Sequence, residues 1–160
     1  MTLEPLILKM ISYDHGSPER IQHFLKVHSF AKTIAVFEPL DEKTLFITEA
    51  AAIVHDIGIR LCLDKYGNGK LQEKEGPALA EQMLSELGFE KDVIERVSFL
   101  VGHHHTYTGI DGLDYQILVE ADFLVNLFEG NTDTAHIRAT YDNIFRTETG
   151  KKICREMFGL

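Results

Sequence analysis

Apolar residues recur along the chain mostly three and four positions apart, and turn residues interrupt them often enough to mark out about seven helices. No segment alternates with the period of two that a half-buried strand requires, so the predicted class is all-α. Leu3, Leu6, Ile7, Met10 and Ile11 form the stripe of a first helix, broken at Gly16. Ser17 and Pro18 then supply a cap and a first-turn residue for a second helix that runs to about Phe37. Asp41 is set to cap a third, through Leu45, Phe46, Ala50, Ile53 and Val54, whose last turn delivers His55 and Asp56. "DKYGNGK" reads as a loop, and Pro77 after Gly76 as the start of a fourth helix that Gly88 closes. "KDVIERVSFLVGHHH" gives a fifth helix and "DYQILVEADFLVNLFEG" a sixth, and the segment 133–158 holds one or two more.

Composition narrows what such a bundle does. At 160 residues and 44% hydrophobic content, residues 1–160 read as one domain, long enough to bury about two-thirds of its unfolded surface. The 25 acidic residues outnumber the 16 basic ones, and a formal charge of −9 argues against nucleic acid or anionic lipid as a partner and for a small molecule. Cys62 and Cys154 form no CxxC pair, so both thiols are expected reduced and packed as small apolar groups. The opening "MTLEPLILKMISYDHG" lacks a basic n-region and is too short to span a bilayer, which together with the cysteines predicts a cytoplasmic protein.

The stretch "AAIVHDIGI" sets His55 and Asp56 in the middle of an apolar run, and "ILVEADFLVNLF" does the same with Asp122. A carboxylate buried without a partner costs several kcal/mol, and two drawn to one place repel unless a cation neutralises them. Imidazole nitrogens beside carboxylate oxygens suit a divalent first-row metal: Mn, Fe, Co, Ni or Zn, with Mg less favoured by nitrogen. His23, His103, His104 and His105 also lie in or beside apolar helices. Singly, each reads as a hydrogen-bonded core or boundary residue.

"RIQHFLKV" from Arg20 to Val27, then "AAIVHDIGI", "GHHH" and "VEADFL", resemble in order and spacing the H…HD…D pattern of the HD-domain superfamily of metal-dependent phosphohydrolases. The motif-bearing core spans residues 20–126. The resemblance implies a helical fold whose metal is held by His23, His55, Asp56 and Asp122. Periodicity does not choose between His23 and His28 as the first ligand. The family pattern sets the histidine three after the arginine and four before the valine, which selects His23 and leaves His28 as a core or boundary residue, with His15 and His136 on the surface. Members with a second metal use a further histidine in an H-x-E-x-G type stretch, where this chain has Gln72, so one ion is the first expectation. Glu73, Glu75, His103, His104 and His105 are the candidates for a second site. Successive helical residues point about 100° apart, so at most two of the three histidines face one pocket. His104 is the first choice, with His103 or His105 beside it.

The resemblance further implies a small phosphorylated substrate, a nucleotide or metabolite, whose ester or anhydride bond is cleaved by metal-activated water. Asp56 is then placed to bind metal through one oxygen and orient water through the other, and His104 to act as general acid. Arg20, Lys26 and Arg60, with Lys65 and Lys70, are the candidate phosphate contacts. The charged residue that often follows HDxG in the family is Ile59 here, so no acid–base role is carried to that position. Tyr107 and Tyr115 are candidates for shaping the substrate pocket. Two rival readings remain: a diiron oxygenase of the HD type, which needs a complete second site, and a non-catalytic domain stapled by a structural metal. A homo-oligomer is left open.

Overall fold

The computed structural model of the chain describes residues 2–60 and 72–160. Among the described residues there are eight helices and no strand: α1 (Glu4–Tyr13), α2 (Pro18–Phe37), α3 (Glu42–Val54), α4 (Gln72–Glu86), α5 (Lys91–His103), α6 (Leu113–Glu129), α7 (Thr134–Ile144) and α8 (Glu148–Phe158). The all-α class is as expected, and the count is one higher because the last thirty residues hold two helices. The predicted "DKYGNGK" loop, with Lys65 and Lys70, lies outside the described residues, as does Cys62, whereas Cys154 is buried.

Local chemistry explains most of the boundaries. Asp41 accepts from the Thr44 N–H, Asp133 from His136 and Thr147 from Gly150, so three helices start on a side-chain cap. Ser17 occupies the cap position of α2 without a side-chain cap bond, and Pro18 at the first helical position supplies the fixed φ instead. Gly16 and Gly88 both take positive φ, where the helix must turn away. One boundary differs from the sequence reading: α4 begins at Gln72, so Pro77 lies inside it. Proline disfavours helix in the residue before it through that residue's N–H and Cβ, and Gly76 lacks the second. The helix therefore runs through.

Two central helices carry the buried polar groups. Every residue from Ile47 to His55, at the end of α3, is buried, as is every residue from Asp114 to Asp122 in α6. Helix α2 packs across both, and α5 packs on α3 and α4. Fully buried Phe24, Ile53 and Leu118 are typical of the core, and each such side chain contributes about 1.5–3 kcal/mol. Helices α4 and α5 approach closely at glycines: a Cβ on Gly76 would stand 2.9 Å from Val101 Cγ1, and one on Gly102 3.0 Å from the Pro77 ring. That contact brings the C-terminus of α5 against the turn that follows α3. Tyr13 Oη donates to the Ile57 carbonyl at 3.1 Å, and the Arg60 guanidinium donates to the Tyr13 carbonyl, so the same turn is tied to the end of α1. No helix among the described residues is long and apolar enough to cross a membrane.

Candidate metal centre

Four helices deliver side chains to one point. His23 comes from the middle of α2, His55 and Asp56 from the turn ending α3, His104 from the end of α5, and Asp122 from the middle of α6. His23 Nε2 lies 3.2 Å from His55 Nε2, 3.2 Å from Asp122 Oδ1 and 3.3 Å from Asp56 Oδ2. His55 Nε2 is 3.3 Å from the same Asp56 oxygen and 3.5 Å from the same Asp122 oxygen. Metal–nitrogen bonds of about 2.0–2.1 Å at angles between a right angle and the tetrahedral value put ligand atoms about 2.8–3.4 Å apart. The observed separations of 3.2–3.5 Å fall at the long, tetrahedral end of that spacing.

The outer faces of the rings decide what the inner faces offer. His55 Nδ1 lies 2.8 Å from the Ala52 carbonyl, and His104 Nδ1 lies 2.9 Å from the Val101 carbonyl. His23 Nδ1 lies 3.2 and 3.3 Å from the two Glu129 oxygens. Carbonyls and carboxylates only accept, so each Nδ1 carries the proton and donates it, leaving the Nε2 lone pair turned inward. Three inward lone pairs and two carboxylates make a donor set that fits a divalent first-row cation. Both carboxylates reach further: Asp56 Oδ1 is 3.3 Å from His104 Nε2, and Asp122 Oδ2 is 3.9 Å from His105 Nε2. The groups able to share an ion among the described residues are accordingly His23–His55–Asp122, His55–Asp56–His104 and His104–His105–Asp122.

The electrostatics follow from this crowding. Burial works against a charge on His23, but hydrogen bonds to Asp122 and Asp56 outweigh it and raise the pKa to about 9. Burial likewise opposes charge on His55, and Asp56 overcomes it to hold the pKa well above the usual histidine value. For Asp56 and Asp122 burial would raise the pKa, yet the His55 charge and the surrounding imidazoles hold both below the usual carboxylate range. His105 is pushed down, first by burial and then by the charge of His104. The folded pKa of His23 exceeds the unfolded value of about 6.5, so its charge stabilises the fold fully below that pH and the contribution fades as pH rises through 9. Proton and metal compete for the same Nε2, so the chelator-treated protein should release protons on taking up Mn²⁺ at pH 7 and bind more tightly at pH 8 than at pH 6. Calorimetric titration in buffers of different ionisation enthalpy checks both.

The remaining sequence candidates are sorted by position. His104 is buried beside Asp56, whereas His103 is exposed, stacked on Phe99 at 4.1 Å and turned away from the centre. The reason is the 100° step between successive residues at the end of α5. His105 packs its ring on His104 at 4.0 Å, and its backbone N–H donates to Glu73 Oε1 at 2.8 Å. Glu73 thus braces the histidine run, and neither it nor Glu75 belongs to an ion-sharing group among the described residues. The side chain of Gln72 lies outside the described residues. Tyr115 is buried with its hydroxyl 2.6 and 2.5 Å from the His103 and Thr106 carbonyls, a packing role, while Tyr107 is 43% exposed and leans on Phe123. His28 is half-buried against Glu49 at 2.9 Å, and His15 and His136 are exposed.

The candidate cations separate in the same way. A cleft of about 250 Å³ opens beside His23 and Asp56, its wall including Asp14, Arg20, Asn126 and Glu129. Arg20 Nε donates to the buried Asp14 at 3.1 Å, and among the described residues its two terminal nitrogens carry no hydrogen bond. Lys26 is paired at 2.8 Å with Glu129 of the same cleft wall, and Arg60 donates to the Tyr13 carbonyl with its charge acting on Asp14. Asp14, Asn126 and Glu129 were not singled out by the sequence reading. Asn126 donates to Asp122 Oδ1 at 2.8 Å, and residues 122, 126 and 129 are spaced as one helix face, a signal the sequence does contain.

The comparisons with known proteins agree with this architecture. Residues 20–131 match the HD domain family, a stretch that takes in His23, His55, Asp56, His104 and Asp122. No curated protein sequence matches the chain. Among solved structures the chain is similar to a predicted HD superfamily hydrolase from an uncultured Thermotogales bacterium, with a TM-score of 0.72 and 23% identity over 98% of this chain and 86% of that one. At that identity the likeness is one of fold. The family match covers most of the sequence and the fold agrees with it: the chain belongs to the HD domain family.

Proposed function

We propose that the chain is a metal-dependent hydrolase that cleaves a phosphate ester or anhydride on a small molecule. The observation that carries the reading is the convergence of His23 Nε2, His55 Nε2, Asp56 Oδ2 and Asp122 Oδ1, with separations of 3.2–3.5 Å among the histidine contacts and every Nδ1 already committed. A divalent cation held there supplies Lewis acidity, making water acidic at neutral pH and drawing charge from a phosphoryl oxygen. Asp56 Oδ1, on the side away from His23, accepts the proton of the attacking water. His104 Nε2, 3.3 Å from that oxygen, takes this proton onto its lone pair and passes it to the leaving oxygen as the P–O bond breaks. Arg20, held in place through Nε by Asp14, offers the phosphoryl oxygens its two terminal nitrogens, which carry no hydrogen bond among the described residues, from the cleft wall.

A second ion between His104, His105 and the outer oxygen of Asp122 is the alternative that the geometry favours within this reading. Elemental analysis separates the two, at one or two equivalents per chain. The diiron oxygenase reading requires two irons and a coupled-iron spectrum. The test of function is phosphate release from nucleotides and simple monoesters with added Mn²⁺, Co²⁺, Ni²⁺ or Mg²⁺. Asp56→Ala is expected to lower the rate by at least about 1,000-fold, since it removes a ligand and the proton acceptor together. Release that survives in Asp56→Ala overturns the assignment.

A further inference from the structure

Three histidines aim Nε2 at one point, yet they are held by two different means. His55 and His104 sit at helix C-termini, where the last four carbonyls have no partner within the helix. Ala52 and Val101 are among those carbonyls, and each accepts the Nδ1–H of the histidine three residues on. The chain's own turn geometry therefore fixes both rings. His23 has no such resource. It lies inside α2, where the neighbouring carbonyls are consumed by the helix ladder, so its Nδ1–H needs an acceptor from another element.

We infer that Glu129 is the positioning residue for His23: its carboxylate accepts the Nδ1–H, fixes the ring with Nε2 facing Asp56 and Asp122, and is itself held by Lys26. The inference rests on the metal-centre reading and adds to it a group that touches neither ion nor substrate. Glu129 closes α6 one face-step beyond Asp122 and Asn126, so a single stripe of that helix carries a ligand, a donor to that ligand and the brace for the ligand opposite. Its oxygens lie 3.2 and 3.3 Å from His23 Nδ1. Lys26, one turn beyond His23, places Nζ 2.8 Å from Glu129 Oε1 and 5.7 Å from the Phe128 ring centroid. A glutamate one-third exposed would otherwise spend its time among solvent rotamers, and the lysine narrows them. A carboxylate in this place also makes the imidazole a better donor than a carbonyl does.

The test uses the full chain, stripped with chelator and titrated with Co²⁺ against a competing indicator, with the visible Co²⁺ spectrum and the thermal midpoint of the stripped protein recorded for each variant. Glu129→Ala is expected to weaken Co²⁺ binding about 10–100-fold and to shift the visible bands, the loss typical of an outer partner. Glu129→Gln, whose amide oxygen still accepts the Nδ1–H, should recover most of the affinity, and Lys26→Met should lose less than Glu129→Ala. Unchanged thermal midpoints with weakened binding support positioning. Binding by Glu129→Ala within about twofold of the parent overturns the inference while leaving the centre intact, because outer partners of real ligands cost more than that. A Lys26→Met loss as large as that of Glu129→Ala also overturns it, since a clamp between α2 and α6 would then explain both. If the parent chain itself takes up no ion, the metal-centre reading fails first and carries this one with it.

Discussion

Asp122→Ala is expected to lose bound divalent metal outright, with affinity falling by more than about 100-fold, beyond what outer partners command. The carboxylate is 4% exposed and stands in a stretch of α6 that is otherwise nearly all apolar, so its position has no other tenant. One oxygen faces His23 and His55, and the other faces His105, so its removal weakens a single-ion and a two-ion arrangement alike. The stripped variant should also be less stable. Breaking a buried charge pair by removing one partner costs up to about 3–5 kcal/mol, because the imidazoles left behind keep their burial and lose one of their two counter-charges. Elemental analysis after gel filtration and urea unfolding in chelator measure the two effects separately. A variant that retains a full equivalent of metal at the parent's affinity would remove Asp122 from the centre.

The contrast between what the sequence disclosed and what it withheld follows the range of the interactions. Helix limits set by side chains a few residues away were readable: Asp41 capping α3, Gly16 and Gly88 turning the chain, and the polar intrusions His55, Asp56 and Asp122 in apolar runs. Pro77 misled because its effect depends on the residue before it, and glycine there removes the Cβ part of the clash. The histidine run was legible as His104 first with His103 or His105 beside it, since 100° per residue says how the rings differ in direction but not which direction is inward. In the structure α5 docks on α4 through Gly76 and Gly102, with His104 buried and His103 exposed. The cations were the least readable. Arg20 and Lys26 look equivalent on α2, and only the approach of α6 and the end of α1 decides that Lys26 meets Glu129 while Arg20 meets Asp14 and keeps an edge toward the cleft.

Glu120 lies two residues before Asp122, about 200° round the same helix, and serves the opposite side of the bundle. It is fully buried. Its Oε1 accepts the Arg146 and Thr147 backbone N–H groups at 2.5 and 2.9 Å and the Gln116 amide at 2.9 Å, and its Oε2 accepts the Thr147 hydroxyl at 2.5 Å. The carboxylate thus sits on the N-terminus of α8, where unpaired N–H groups and the helix dipole both favour a negative charge. Gly150 permits this approach, because a Cβ there would strike Glu120 Oε2 and the Thr147 hydroxyl. Glu120→Ala leaves the buried Thr147 N–H and hydroxyl and the part-buried Arg146 N–H without their acceptor, at about 1–3 kcal/mol for each buried group before water enters the gap, so a net loss of about 3–5 kcal/mol is expected. Urea unfolding measures it, and Co²⁺ affinity of the folded variant should stay at the parent's value, since none of these donors faces the centre. Glu120→Gln keeps one acceptor but turns an amide N–H₂ toward other donors, so it should restore only part of the loss. A loss below about 1 kcal/mol in Glu120→Ala would mean that solvent already serves the start of α8, and a fall in Co²⁺ affinity matching Asp122→Ala would mean that the two faces of α6 do not act separately.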